Sequence, residues 1–511
     1  MREFLRPLRR LAAAMIGLAA TTQMAEASYG FYVGKNLTAD GSVLLGGTGE
    51  EVSGHWLEIV PRRQHPEGST VTVGVTGEAS IPGELTKIPQ VRETFKYLSM
   101  NYSDYQGFPA PLTNGGLNEH GVAIRDIWSS SRAELVRMTP RPQHGPQYSD
   151  LARMALERAR TAREAVEIIG RLIDQHGYST YGGNSHLIAD KDEGWVVLQF
   201  AGGKGLWVAE RLGPDDVRVS YPGYIGEIPA DYRRSPDHMG SANLIDFAVE
   251  QGWYDPSAGK PFNVHAVYSR QDLPMRSGAK FWATEAIEAE LRAQAPVTPA
   301  KMMRMVRDPR IADEEAGYGQ VAHLRGDVRP ELNLVWVAPT GSVAAPFIPW
   351  HLGATEVPPE YGIHRYLYRD AAATFLNPAY ANQEGTEFAG RLFKRLLYHT
   401  CSRPQEFLPE VTQALEAFER GMLEEIALVQ DTAETLYAAG RPELGARYLD
   451  LFSTTRAAEG MDLGRALLAS VEARTKLLHG IKTPQEGSIN QPRGPTPHCL
   501  VGHDPDVAET K

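Results

Sequence analysis

Cysteine is nearly absent: the 511 residues contain two, Cys401 and Cys499. That count excludes a disulfide-built scaffold. An exported setting permits one bridge between them, and spacing alone does not fix their distance. His399 and Cys401 stand two apart, too close to be paired ligands on one helical face, and no second pair has zinc-like spacing, so no metal is implied. Long apolar runs are missing as well. The strongest, Leu11 to Ala20, falls short of the roughly 20 residues that a bilayer requires. No basic block follows it, and the formal net charge of −11 argues against nucleic acid or an anionic membrane as the main partner. A Gly-x-Ser-x-Gly elbow and a dinucleotide fingerprint are also lacking, which speaks against an α/β-hydrolase and a nicotinamide enzyme. His55, His65, His120, His144 and His186 are scattered, none in a recognisable nucleophile motif. No cofactor is implied.

What is present begins at the amino terminus. Arg2, Arg6, Arg9 and Arg10 precede the short apolar run, and Ala25-Glu26-Ala27 follows it as a small-residue cleavage site, the pattern of an export signal spanning residues 1–27. Its removal by signal peptidase takes away four Arg and two Glu and moves the charge from −11 to −13. No membrane span then remains, and a periplasmic or secreted location is expected. The cut leaves Ser28 first in the chain, a hydroxyl and a free α-amine on one residue. An N-terminal Ser, Thr or Cys can be a nucleophile whose own amine is the base. Small residues often follow cleavage sites, so the position alone does not establish catalysis.

Beyond Ser28, Phe31-Tyr32-Val33 and Val43-Leu44-Leu45 read as two arms of a hairpin. The run Gly46-Gly47-Thr48-Gly49-Glu50-Glu51 reads as a tight turn where backbone approaches something closely, here the chain's own start; no Lys-Ser/Thr follows it to make a phosphate cradle. Residues 68–77 alternate as a half-buried strand, and 114–124 read as a turn feeding another. Thr161-x-x-Glu164 caps a helix that Gly177 ends. Strands around His186–Ala189, Trp195–Phe200 and Leu206–Arg211 make a meander. The acidic turn Asp190–Gly194 lacks the spaced ligands of a calcium loop. Helical patterns alternate with loops over 241–310, and a strand returns at Asn333–Pro339. Helices follow over Glu387–His399, Glu406–Ala439, Arg441–Phe452 and Arg456–His479.

Several stretches, in this order, resemble one family. They are Val33-Gly34-Lys35 with Asp40-Gly41-Ser42, Asn114-Gly115-Gly116-Leu117-Asn118-Glu119 with Gly121-Val122-Ala123-Ile124, Leu156-Glu157-Arg158-Ala159 with Thr161–Val166, Ile188-Ala189-Asp190 with Glu193 and Trp195, Trp207-Val208-Ala209 with Arg211, Pro214-Asp215-Asp216, and Ala242–Ala248. Together they resemble the N-terminal-nucleophile dipeptidases, the group of bacterial dipeptidase A and the secernins, over about residues 28–430. The resemblance implies a nucleophile five residues before Val33-Gly34-Lys35, normally Cys, which here is Ser28. It implies a basic residue and a carboxylate after the second strand; Gly47 stands in the basic place, and Glu50 keeps the acid and would organise the amine. Oxyanion or substrate-binding positions carry over to Trp128 and to Ser220-Tyr221, neither of them Asn. Asn118 is a further candidate, read also as a turn former.

The expected fold is α+β, a four-layer αββα sandwich, with a catalytic domain over 28–365, a helical C-terminal appendage over 366–481 and a disordered tail over 482–511. The expected activity is hydrolysis of a small peptide or amide through a Ser28 acyl-enzyme, most simply as a dipeptidase. The alternatives are an N-acyl amidase on the same site and an exported binding protein that has lost catalysis.

Overall fold

The computed structural model describes residues 28–50, 55–103, 106–270, 282–312, 316–364, 385–480 and 499. The expected export signal, the expected 365/366 domain junction and all of the expected tail but Cys499 lie outside those residues.

The expected hairpin forms from β1 (Gly30–Val33) and β2 (Val43–Glu50), paired antiparallel with Gly30 opposite Gly47. β2 runs further than its glycines suggest. Gly46, Gly47 and Gly49 are strand residues rather than a turn, because neighbours crowd the places where their side chains would stand. A Cβ at Gly47, where φ is +146°, would overlap the Tyr29 carbonyl oxygen, and one at Gly49 would overlap the Tyr318 ring. The same correction applies to Asn114-Gly115-Gly116, which lies within β5.

Along the chain follow β3 (Trp56–Val60), β4 (Tyr97–Tyr102), β5 (Leu112–Asn118) and β6 (Ala123–Trp128). Then come α1 (Tyr148–Arg158) and α2 (Ala162–His176). The Thr161 hydroxyl accepts from Glu164 N at 3.1 Å, and the Glu164 carboxylate accepts from Arg160 N at 2.7 Å. The meander is β7 (Asn184–Ala189), β8 (Gly194–Gln199) and β9 (Trp207–Leu212). It is succeeded by β10 (Val217–Ser220), β11 (His238–Gly240), α3 (Trp282–Ala293) and α4 (Pro299–Arg307). β12 (Ala316–Leu324), β13 (Leu334–Ala338) and β14 (Ile348–His351) complete the sheets. Three helices close the described chain: α5 (Ala389–Ser402), α6 (Pro404–Ala438) and α7 (Pro442–His479).

Among the described residues the two large sheets have the orders β10-β1-β2-β12-β13-β14 and β11-β9-β8-β7-β6-β5-β4-β3, with antiparallel pairing throughout. β1 and β2 lie over β6 and β7, α1 and α2 cover the outside of the larger sheet, and α3 and α4 the outside of the smaller. This is the αββα sandwich. β1 sits between β10 and β2, so the residues leading into it are not at a sheet edge, and by alternation Ser28 shares the inter-sheet face of Gly30.

α7 runs unbroken where two helices were expected. Its hydroxyls at the anticipated break find acceptors without breaking the helix: Thr454 Oγ1 donates to Asp450 O one turn back at 2.7 Å, and Ser453 Oγ donates across to Pro349 O on β14 at 2.8 Å. The helical region shares one apolar core with the sheets, Leu392, Phe393 and Leu396 packing in the same cluster as Val337 and Ile348. Cys401 on α5 is bonded to Cys499, whose Cα is 4.3 Å away. No helix among the described residues is long and apolar enough to cross a membrane.

Candidate active site

Ser28 is buried at the head of β1. The backbone around it is fixed on both sides. Tyr29 N donates to Thr48 Oγ1 at 3.3 Å, Thr48 N donates to Tyr29 O at 3.0 Å, and Gly30 is in register with Ser220 on the other flank. Continuing the β1–β2 register sets Gly49 opposite Ser28. A side chain at Gly47 is sterically excluded by the Tyr29 carbonyl, which explains why no basic residue stands there. Glu50 ends β2, one residue past that row, with its backbone paired to Ala316.

Strand alternation turns Gly30 toward the other sheet, where its Cβ would meet Ile127 and Leu187. Ser220, in register with Gly30, shares that face. It is fully buried, and its Oγ makes no hydrogen bond among the described residues. Tyr221 stacks on Tyr29, centroids 4.0 Å apart and planes within 2°. It braces the residue after Ser28. Around the exit of β10, Gly223 N donates to Ser129 Oγ at 3.0 Å, and Ser129 and Ser185 hydroxyls are 2.8 Å apart.

Two candidates stand elsewhere. Asn118 is at the far end of β5, where its Nδ2 donates to Leu156 O at 2.9 Å and Ala159 O at 2.7 Å, while its Oδ1 accepts from His120 N and Val122 N, both at 3.0 Å. Its hydrogen-bonding capacity is consumed in closing the β5–β6 turn and tying it to the end of α1; an oxyanion role is corrected to a structural one. Trp128 ends β6 opposite Asn184. Alternation groups it with Ile124 and Asp126, toward α1, rather than with Arg125 and Ile127, toward β1. Its Nε1 is buried without a hydrogen bond among the described residues, but the strand does not direct it to the Ser28 side.

The polar group that the sequence reading missed is Arg125. It is fully buried on the inter-sheet face of β6 and donates to Tyr318 Oη, to the Thr48 carbonyl and, at 3.4 Å, to Gln320 Oε1. Tyr318 donates in turn to Asn114 Oδ1 at 2.6 Å, and the guanidinium lies 4.8 Å from the Tyr318 ring centroid. Gly115 makes room for this cluster, since its Cβ would stand 2.7 Å from Gln320 Oε1 and 2.9 Å from Tyr318 Oη. The signal was available: Arg125-Asp126 is a charged pair inside the otherwise apolar run Ala123–Trp128.

Asp126 faces the opposite way. Burial pushes its carboxyl up to about 7, against the hydrogen bond from Asn184 Nδ2 and the charge of Arg125. Its cross-strand neighbour His186 is pushed down to about 4 by burial. His186 Nε2 is 3.1 Å from Tyr148 O, and its Nδ1 is 3.0 Å from Gln199 Nε2, which assigns the neutral Nε2–H tautomer. The 4.0 Å between His186 Nε2 and Asp126 Oδ1 is therefore no ion pair near neutral pH. A cavity of about 560 Å³ beside β3, lined in part by Trp56, Glu58 and Thr355, lies three strands from β6 and contains none of the Ser28 cluster. Among the described residues no cluster of three or more His, Cys, Asp and Glu could hold a metal ion.

A sandwich with a buried hydroxyl residue heading a central strand is an arrangement suited to a nucleophile. The model of Peptidase family C69 matches residues 28–285, half of the chain, and the protein belongs to that family. Its curated relatives include the probable dipeptidase B of Streptococcus pyogenes serotype M3, 26% identical over 245 residues, 47% of this chain and 46% of that protein. The probable dipeptidase B of serotype M1 is 26% identical over 252 residues, with the same coverage. The chain thus spans about half the length of the curated relatives it matches. Among solved structures, a mutant of the conjugated bile acid hydrolase from Clostridium perfringens aligns at 10% identity and a TM-score of 0.33, over 67% of this chain and 98% of that one.

Proposed function

We propose that this C69 protein is an exported amide hydrolase, a dipeptidase that acts through Ser28. One observation carries the reading: Ser28 is buried at the head of β1, between β10 and β2, and the same inter-sheet layer holds the Ser220 hydroxyl and the Arg125–Tyr318 cluster. Family membership supports peptidase chemistry, and the names of the matched relatives supply the dipeptide class. The Cys401–Cys499 bond supports an oxidising compartment.

After cleavage behind Ala27, the Ser28 α-amine, with an ordinary pKa of about 7.7–8.0, is partly neutral near pH 7.5. Ser28 Oγ attacks the scissile carbonyl carbon and its proton passes to that amine. The tetrahedral oxyanion collapses, the carbon–nitrogen bond breaks, and the amine gives the proton to the leaving nitrogen. Water then attacks the Ser28 ester and loses its proton to the amine; the carbon–oxygen bond breaks, and the proton returns to Oγ as the acid leaves. Ser220 Oγ is the hydroxyl donor we assign to the oxyanion, because it is buried, lacks a hydrogen bond among the described residues and shares the face of Gly30.

The test is intact-mass and N-terminal analysis of exported protein, followed by assay on dipeptides and N-acyl amino acids. Protein beginning at Ser28 and active on dipeptides is the expected result. A retained extra residue before Ser28 with full activity would remove the amine as base, and turnover of N-acyl amino acids alone would replace dipeptidase by amidase.

A further inference from the structure

The buried guanidinium of Arg125 presents an imbalance. It is fully buried, yet among the described residues its partners are a carbonyl, a phenol and an amide oxygen, none of them a carboxylate, and its Nε makes no hydrogen bond. A guanidinium stays protonated inside proteins. Burying a charge without a counter-charge is costly, so buried ions are normally paired or placed where charge is needed. The neighbouring acid does not compensate it, because Asp126 lies on the other face of β6 and burial favours its neutral form.

The place of the charge is specific. Arg125 reaches from the larger sheet across to the smaller one and ends on Thr48 O and Tyr318 Oη. Thr48 is the residue whose N–H and hydroxyl hold the Tyr29 peptide next to Ser28. Tyr318 pairs with Gly49, the residue that register sets opposite Ser28. Two glycines serve the arrangement: Gly49 accommodates the Tyr318 ring and Gly115 the guanidinium end.

We propose that Arg125 is a positioning residue of the Ser28 site, a buried cation that fixes Thr48 and Tyr318 against the head of β1 and supplies positive charge to the oxyanion formed there. The inference rests on the Ser28 reading above. It assigns two effects to one group. The Thr48 and Tyr318 contacts hold the nucleophile strand in place, and a nearby fixed cation favours the anionic tetrahedral state while disfavouring protonation of the Ser28 amine. The other titratable groups with described side chains at this end are Tyr318 on β12, His55, whose ring is tilted against that of Tyr318 at 4.7 Å, and Tyr29 and Tyr221, stacked on each other. Arg218, on the far flank, is engaged by Glu210 at 2.9 Å and by Tyr224 O at 2.7 Å. Asp126 and His186 are on the opposite face of the larger sheet.

The experiment compares Arg125→Gln and Arg125→Lys in the mature full chain, measuring dipeptide hydrolysis across pH. Arg125→Gln should lower kcat about a hundredfold with little change in KM and move the acid limb of kcat/KM upward by about one pH unit. Arg125→Lys keeps the charge without the fork; it should recover about tenfold of the loss and return the limb to its original place. Two equally impaired variants with an unmoved acid limb would overturn the proposal, as would wild-type kcat in Arg125→Gln. Should Arg125→Gln fail to fold, Tyr318→Phe removes only the hydroxyl that Arg125 holds. That variant should lose about tenfold in kcat with the limb unmoved, and wild-type kcat there would equally overturn the proposal. Ser28→Ala is assayed alongside: its activity would sink the nucleophile reading, whereas a dead Ser28→Ala with indifferent Arg125 variants would sink this inference alone.

Discussion

The two faces of β6 treat buried charge in opposite ways. Arg125 and Asp126 are consecutive, and both are buried. Arg125 enters the layer between the sheets and meets oxygens of Thr48, Tyr318 and Gln320, next to the strand that begins after Ser28. Asp126 enters the layer under α1, where burial outweighs the Asn184 hydrogen bond and drives the carboxyl toward its neutral form. A guanidinium cannot discard its proton and must be given acceptors, whereas a carboxyl can take one up and cease to be a charge. The difference separates the two faces of this strand: the inter-sheet face, on the side of the proposed Ser28 site, holds a charge among oxygens, and the helix-facing side holds Asp126 and His186, both driven by burial toward their neutral forms.

The largest effect that would break this division is at Ser28. Ser28→Ala, matured at the same position, should lose about ten-thousandfold or more in kcat while melting near the wild-type temperature. Measured activity close to wild type would move the chemistry off the inter-sheet face. Next in size is Ser220→Ala, which removes the hydroxyl beside Gly30; if it donates to the oxyanion, kcat falls about a hundredfold and KM stays near its original value. A change in KM alone would reassign Ser220 to substrate binding.

Much of the fold was legible because its signals are local. The β1–β2 hairpin, the β7–β8–β9 meander, the Thr161 cap and the long C-terminal helices follow from alternation, turn residues and helical period. The failures share a cause: glycines at Gly46, Gly47, Gly49, Gly115 and Gly116 read as turns, yet they are strand positions emptied of side chains so that Tyr29, Tyr318, Gln320 or Leu98 can come close. Those partners are distant in sequence, so no local pattern reveals them. β12 was overlooked for the same reason, its Gly-Tyr-Gly-Gln run carrying little alternation. Ser28 was singled out from cleavage chemistry and motif register, and the structure adds that it is buried at the head of β1. Arg125 was not singled out, because only the opposing sheet shows what it touches.

A third prediction sharpens the structural side of the comparison. Asn118→Ala leaves Leu156 O and Ala159 O without their side-chain donor and frees the turn amides of His120 and Val122. Losing a fully used buried amide should cost about 2–3 kcal/mol of stability. Activity per folded molecule should be unchanged, because Asn118 is about 17 Å along the β5–β6 ribbon from the end near Ser28. A kcat loss without a stability loss would return Asn118 to the site.

The effect with no bearing on turnover is the most discriminating test of the helix-facing side. In the unfolded chain an aspartic acid titrates near ~4 and a histidine near ~6.5. Asp126 in the folded protein is pushed up to about 7, so between about pH 4 and 7 the unfolded chain releases a proton that the folded chain keeps, and stability contributed by this group falls as pH rises. His186 is pushed down to about 4, so as pH falls from about 6.5 to 4 the unfolded chain gains a proton that the folded chain refuses, and stability falls as pH drops. The two slopes oppose each other over most of that range and should leave the wild type with a shallow dependence. Asp126→Asn retains an acceptor for Asn184 and removes the first slope alone. The variant should therefore gain stability as pH rises from about 4 to 6.5 and then level off, ending more favoured relative to wild type at about pH 8 than at about pH 4, with kcat unaltered. Thermal melts of both proteins across that range decide it. A variant-to-wild-type difference that stays constant with pH would mean that Asp126 does not hold its proton through burial, and the contrast between the two faces of β6 would lose its electrostatic basis.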